Sequence, residues 1–318
     1  MRAASTPATG VRAEHVSTPL VSAIVPVYNG EHFLAQALDS ALAQRFSDLE
    51  IIVVNDGSSD ASGAIAEDYA TRHPGVVRVH HQANQGLCGA RNSALALARG
   101  RYFALLDADD VWLPHHLQAS VAVLERRRSV ALVHADIERI DVDGNSLGCA
   151  DRHWNEVGSD VFRVLFLRRE HVCCPTAVFR REVVERVGNF DLRFNRLGCE
   201  DRDLWLRIAA IADVAYLDDV HARYRLHGAN MSTNFGKMIQ ARIRLVDKFG
   251  TLPRGQPLRR RALAAAHCNL GDELMDAARR RAAFAAYARA FAVRPLERNA
   301  LRGMLRSLLK PQANDAAN

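Results

Sequence analysis

The sequence predicts an α/β protein with a mostly parallel central sheet, followed by an α-helical C-terminal extension. Three observations predict it. β-branched runs alternate with amphipathic segments through the first half of the chain. One apolar run, Ala104-Leu105-Leu106, breaks off into Asp107, Asp109 and Asp110, as a buried strand does when it delivers polar groups to a sheet edge. From Phe235 onward only helical periodicity remains, with Ala-rich faces.

Taken in order, Val21–Val27 reads as a buried strand. Residues 31–44 follow as an amphipathic helix, with Phe33, Leu34, Leu38 and Leu42 on one face. A second β-branched run over 50–55 ends at Asp56-Gly57, after which Ser58 or Ser59 is expected to cap a helix running toward Tyr69, ahead of Pro74. A strand over 76–80, a helix over 88–99 and a strand over 102–106 complete a β-α-β-α-β-α-β series, the pattern of a parallel sheet with crossover helices. A helix is expected after Pro114, running to about Arg127, and a strand over 130–136. Asp143-Gly144 marks a turn with a local antiparallel excursion, and 201–211 is a helix bearing Leu204, Trp205 and Ile208. Residues 269–295 resemble a single tetratricopeptide-like helical pair, one copy being too little for a repeat.

Bulk properties narrow the function. With 318 residues and 48% hydrophobic content the chain can bury a large core, divided here into a tail (1–19), an α/β domain (20–232) and a helical extension (233–318). Residues 1–19 are rich in Ala, Ser and Thr and lack an apolar core segment, which predicts a disordered tail, no secretory signal and a cytoplasmic location. No uncharged apolar run nears the roughly 18–20 residues of a membrane-spanning helix. Six scattered cysteines without a Cys-x-x-Cys pair fit reduced thiols, not a disulfide framework or zinc site. The formal charge of +6 is uneven: 251–318 holds 13 basic and 5 acidic residues, a net of +8, so the first 250 residues carry about −2. Nucleic-acid binding by the main domain gains no support.

The candidate chemistry lies at strand ends. No Gly-x-Gly-x-x-Gly follows the first strand and no Gly-Lys-Ser/Thr loop occurs, which argues against nicotinamide and P-loop enzymes. Instead the ends carry Pro26-Val27-Tyr28-Asn29, Asn55-Asp56-Gly57-Ser58, Asn84-Gln85-Gly86 and Asp107-Ala108-Asp109, all predicted to converge on one crevice. Tyr28 offers a flat face to a base, Asp56 can accept from a pyrimidine edge, and Arg91 supplies a planar donor fork for a diphosphate. Asp56-Gly57-Ser58 also reads as a turn with a helix cap. The clustered carboxylates repel one another unless a cation is present, and oxygen ligands suit Mg²⁺ or Mn²⁺. The other reading of the cluster is an acidic loop capping the next helix.

In this order the four elements resemble the nucleotide-binding half of family-two glycosyltransferases of the GT-A fold. The resemblance extends through Gly188-Asn189-Phe190-Asp191, Cys199-Glu200-Asp201-Arg202-Asp203-Leu204-Trp205 and Tyr224-Arg225-Leu226-His227, covering about Pro19 to Ser232. It implies an inverting enzyme that moves a sugar from a nucleotide-diphosphate donor, with uracil favoured over guanine or thymine, to an acceptor hydroxyl. It implies nucleotide contacts from Pro26, Val27, Tyr28, Asn29, Glu31, Asp56, Asn84, Gly86, Arg91, Asp107 and Ala108. It implies metal ligation by Asp109 and His227, with Asp201 as general base beside Glu200. His227 also reads as a surface residue before Gly228, and Glu200 and Asp201 as acids that favour a helix N-terminus. A glycan or lipid-linked acceptor in bacterial surface polysaccharide synthesis follows from the resemblance, whereas the identity of the sugar rests on pocket side chains that no short motif reports.

Two other functions fit the residues less well. A sugar nucleotidyltransferase would carry a Gly-rich basic loop where this chain has Val27-Tyr28-Asn29-Gly30-Glu31. A non-catalytic nucleotide-sugar-binding protein would have no need of the intact acidic cluster and the Glu200-Asp201 pair. After Pro295, Leu301, Met304, Leu305 and Leu308 share one helical face while Arg298, Arg302, Arg306 and Lys310 recur every fourth residue. Such a helix either lies on an anionic membrane, placing the protein peripherally at the inner face of the plasma membrane, or is a solvated face of a packed pair.

Overall fold

A computed structural model describes residues 18–149, 160–167, 172–228 and 235–309. Nearly all of the expected tail, the domain boundary at 232 and Lys310 lie outside the described residues. A nine-stranded sheet has the order β3 (Val77–His81), β2 (Leu49–Asn55), β1 (Val21–Val27), β4 (Tyr102–Leu105), β8 (Val178–Arg180), β6 (Val130–Ile140), β9 (Asp213–Arg225) and β5 (Val111–Trp112), with β7 (Ser146–Cys149) paired to β6 off this path. Strands β1 (Val21–Val27), β2 (Leu49–Asn55), β3 (Val77–His81) and β4 (Tyr102–Leu105) are mutually parallel. Every residue of β1 and β2 is buried, as parallel strands covered on both faces require.

Alternation along these strands feeds two cores. Ile24, Ile52, Val54 and Phe103 join one, and Val25, Ile51, Val53 and Ala104 join the other. Helices α1 (Leu34–Leu42), α2 (Ser62–Arg72) and α4 (His116–Arg126) contribute to the second core. Helices α3 (Gly86–Leu97), α5 (Val161–Leu167), α6 (Arg181–Val187) and α7 (Glu200–Ala209) contribute to the first. One charge sits inside the sheet without strain: buried Glu50 of β2 accepts from Ser22 Oγ at 2.7 Å and from Arg99 and Arg78.

The second half is mixed. β8 (Val178–Arg180) runs antiparallel to both β4 and β6, while β9 (Asp213–Arg225) is parallel to β6 (Val130–Ile140) and antiparallel to β5 (Val111–Trp112). β6 is longer than the predicted 130–136 because its second half keeps pairing with β9 after the apolar run has ended. The Asp143-Gly144 turn does lead to an antiparallel partner, β7 (Ser146–Cys149).

Four helices follow: α8 (Phe235–Phe249), α9 (Arg259–Asp276), α10 (Arg280–Val293) and α11 (Arg298–Leu308). α8 inserts Ala241, Leu245, Val246 and Phe249 into the first core. Tyr287 of α10 lies against Gly271 of α9 and Gly303 of α11, where any Cβ would strike its ring. α11 buries Ala300, Gly303 and Ser307, while Leu301, Leu305 and Leu308 are 50–68% exposed. The leucine stripe is therefore not the packing face. Among the described residues no helix is long and apolar enough to cross a membrane.

Candidate active site

The parallel strand ends open on one cleft of about 1350 Å³, and residues of β6, β9, α7 and α8 help to complete its wall. Pro26, Val27, Tyr28, Asn29, Asp56, Asn84, Gly86, Arg91, Asp107, Ala108, Asp109, Glu200, Asp201 and His227 all line it. Glu31 does not: its carboxylate accepts from Ala61 N at 2.8 Å, at a helix start that has no cap of its own. Neither Ser58 nor Ser59 caps α2, which begins only at Ser62. They join two strand-end loops instead, Ser58 Oγ accepting from Asn29 N and Ser59 N donating to Asn29 Oδ1.

At the β2 end, Asp56 is buried and accepts from Gln82 Nε2 at 2.7 Å, Gln85 N at 2.8 Å and Gly86 N at 2.8 Å. A carboxylate has about four lone-pair directions, so one remains for a ligand. Gly57, at φ 73°, brings the turn so close that a Cβ would meet Asn84 N at 2.9 Å. Tyr28 is 56% exposed, leaving its ring open for stacking.

At the β4 end the three carboxylates take separate tasks. Asp110 is fully buried and accepts from Arg225 N at 3.0 Å; burial and the neighbouring Asp109 and Asp107 hold its pKa well above the usual carboxylate range. Asp109 accepts or shares a proton with His227 Nε2 at 2.9 Å, and burial followed by the Asp107 charge raises its pKa against the pull of His227. Asp107 takes Arg91 Nη2 at 2.6 Å. His227 stacks on Phe33 at 5.4 Å, and the Arg225 guanidinium covers the Phe33 ring at 4.7 Å. Arg225 also donates to the carbonyls of Asp109, Asp141 and Val142, locking the acidic turn to β9.

Arg91 differs from expectation. It is 1% exposed and spends Nη1 on Glu200 at 2.8 Å and Nη2 on Asp107 and Cys174 Sγ, so its fork faces protein carboxylates and not a diphosphate. The reason is position: Arg91 lies one turn inside α3, within the wall, where a guanidinium must be paired. Glu200, 5% exposed, is pushed up to about 7 by burial, against the attraction of Arg91. Asp201 is less covered, and burial raises its pKa too, with Arg91 and Arg202 opposing. Both open α7, whose N-cap Cys199 adopts the left-handed region at φ 63°.

Several residues that line the cleft or support its lining carry no sequence signal. Gln82, which orients Asp56, follows β3 as an ordinary polar residue. Arg139 enters the wall only because β6 is long, and Arg242 and Met238 come from α8, distant in sequence. Phe33 shows in the sequence as a helix-face apolar residue and gives no hint of its ring partners.

The family model described as glycosyl transferase family 2 matches residues 22–188, more than half of the chain. The chain belongs to glycosyl transferase family 2. An uncharacterized glycosyltransferase of Nostoc sp. (strain PCC 7120) is 34% identical over 213 residues, which cover 66% of this chain and 66% of that protein. Among solved structures, S. aureus TarS 1-349 in complex with UDP-GlcNAc superposes with a TM-score of 0.62 at 17% identity, covering 90% of this chain and 88% of that one. The mannosyltransferase PcManGT from Pyrobaculum calidifontis, in complex with GDP-Man and Mn²⁺, gives 0.58 at 20% identity, covering 92% and 88%. At these identities the likeness establishes the fold, which is GT-A with a helical extension. The matched family segment holds the base end and the acidic turn of the cleft, whereas Glu200, Asp201 and His227 lie beyond residue 188.

Proposed function

We propose that this family-two glycosyltransferase is an inverting, metal-dependent enzyme. It moves a sugar from a nucleotide-diphosphate donor, UDP-sugar foremost, to a hydroxyl of a glycan or lipid-linked acceptor. One observation carries the reading. Arg91 bridges Asp107 at 2.6 Å and Glu200 at 2.8 Å, so a single buried side chain ties the diphosphate end of the cleft to the candidate base end.

Tyr28 stacks on the base and Asp56 accepts from its edge with its remaining lone pair. Asp109 and His227 fit a divalent ion. They combine a carboxylate and an imidazole beside a surplus of buried negative charge, and such ions leave further positions to water and phosphate oxygens. When bound, Mn²⁺ or Mg²⁺ would neutralise charge developing on the departing diphosphate. Asp201 takes the proton of the acceptor hydroxyl as its oxygen bonds the anomeric carbon and the bond to diphosphate breaks. A raised pKa makes Asp201 a stronger base. Displacement in one step inverts the centre and leaves no covalent bond to the protein.

The acceptor reading rests on α11. Its exposed Leu301, Leu305 and Leu308 lie beside exposed Arg298, Arg302 and Arg306, the composition of a helix lying in an anionic membrane surface. Peripheral docking at the inner face of the plasma membrane would bring lipid-linked acceptors of surface polysaccharide synthesis to the cleft.

A thermal-shift panel of UDP-, GDP- and dTDP-sugars with and without Mn²⁺ tests the donor. Ligand at 100 times its Kd stabilises by about 2.7 kcal/mol. The expected result is a metal-dependent rise with a UDP-sugar. No response to any nucleotide sugar in either condition would overturn the reading.

A further inference from the structure

We propose that His115, Asp219 and His221 form a second cation site, of the zinc class, which clamps α4 to β9 outside the catalytic cleft. Their ligand atoms lie within 4.8 Å of one another, and none of the three residues lines the cleft.

The backbone builds this cluster from both sides. In the β6–β9 ladder Ala135 pairs with Leu217 but Asp136 pairs with Val220, so Asp218 and Asp219 are pushed out of register as a bulge. Asp219 Oδ1 accepts from Val220 N at 2.8 Å, and Oδ2 lies 3.5 Å from His115 Nε2. His115 precedes the first turn of α4, and the chain just before it is held by Leu113 N donating to His221 O at 2.9 Å. The His115 and His221 rings stand edge to face at 4.7 Å.

The nitrogens are arranged for a ligand. His115 Nε2 is sealed from solvent and makes no hydrogen bond, a costly state that a metal bond would relieve. His221 is 2% exposed and spends Nδ1 on His116 Nδ1 at 3.2 Å. If His221 is the donor in that pair, its Nε2 keeps a lone pair for a metal, and fully buried His116 serves as the orienting partner that metal-bound imidazoles take.

The ligand set names the ion. Two imidazoles and one carboxylate select Zn²⁺ or Co²⁺ over Mg²⁺, and a half-exposed site leaves a fourth position for water. The clamp adjoins the β5–β9 pairs Trp112–Ala222 and Val111–Arg223, on the strand that ends at Arg225, two residues before His227. An ion there would stiffen the strand that presents the cleft's own imidazole.

The test is Co²⁺ titration by visible d–d absorption, with Zn²⁺ equilibrium dialysis, on full-length protein carrying Asp109→Asn and His227→Gln to silence the cleft. One equivalent is expected to bind. Adding His115→Gln and Asp219→Asn, both at solvent-accessible positions, should weaken binding by more than about 100-fold, and His116→Gln alone by about 10–100-fold. No binding to the cleft-silenced protein, or equal affinity with and without the His115 and Asp219 changes, would overturn the proposal.

Discussion

Asp201→Asn isolates the general base from the rest of the cleft. The change keeps the side chain's shape and its acceptor oxygen for Arg202 N, now 2.6 Å away, and removes only the charge and the basic lone pair. General acid–base catalysis is worth about 10²–10⁴-fold, or roughly 2.7–5.5 kcal/mol of barrier. Turnover should fall by that factor, followed as UDP release from donor and acceptor. UDP affinity with Mn²⁺, measured by calorimetry, should stay within a few-fold because a base acts in the transition state and not on the bound nucleotide. The pH profile has a fixed sign. A carboxylic acid whose folded pKa is raised is ionised only above that value, so wild-type activity should fall, as pH drops, well before an ordinary carboxylate would titrate, within a pair whose Glu200 member lies near 7. Glu200→Gln is the control: it keeps a partner for Arg91 and should cost stability more than turnover. A dead Glu200→Gln with an active Asp201→Asn would reverse the roles, and two active variants would refute the mechanism.

Metal chelation should abolish transfer, and Asp109→Ala should weaken donor binding in Mn²⁺; full activity in excess EDTA with metal content verified would refute the metal role. Arg91→Gln leaves buried Glu200 and half-buried Asp107 beside a neutral group, so denaturant unfolding should show a loss of about 3 kcal/mol. Arg91 also lowers the pKa of both α7 acids, so the acid limb of any remaining activity should move to higher pH; an unchanged unfolding midpoint would refute the bridging role. Truncation after Pro295, or Arg302→Glu with Arg306→Glu, should reduce binding to anionic liposomes, more at low salt. Binding unaltered across a salt series would mean that α11 meets no membrane.

The elements legible in the sequence were those whose own burial writes the pattern. β1 and β2 are covered on both faces, so their apolar runs are continuous and their ends fall at the predicted residues or within one of them. The apolar run ends before β6 does because the strand's second half is held by backbone pairing to β9, which leaves no mark on composition once Glu138 and Arg139 interrupt the run. The start of α2 departs from the sequence pattern for a related reason. Ser58 and Ser59 have the chemistry of caps, but the Ser58 hydroxyl accepts from Asn29 N and Ser59 N donates to Asn29 Oδ1, so both serve the loop after β1. On α11 the 3.6-residue period marks a leucine face correctly as a face, yet small residues on the other side make the contact: Gly303 lets the helix approach Tyr287, and Ala300 joins Ala264, Cys268 and Ala290 in a small core.

The candidate site shows the same division more sharply. Residue types at strand ends are readable because a sheet edge exposes whatever follows the strand, and thirteen of the predicted positions besides Arg91 do border the cleft. What each carboxylate does is decided by partners remote in sequence, and buried arginines make most of those choices. Arg91 engages Asp107 and Glu200, while Arg225 serves Asp110 and the Asp109 carbonyl. A guanidinium in a wall must find carboxylates or carbonyls whatever the cleft binds, so its task is set by burial before it is set by chemistry. Backbone strain follows the same logic. Among the described residues, four non-glycine positions have positive φ, and three of them, Asn29, Arg196 and Cys199, line the cleft or its rim. Such conformations persist only where surrounding contacts over-determine them. Here those contacts include Ser58 and Ser59 on Asn29, and Asn84 on Arg196, so the turns that present the base end of the cleft are held by other loops and not by their own sequences.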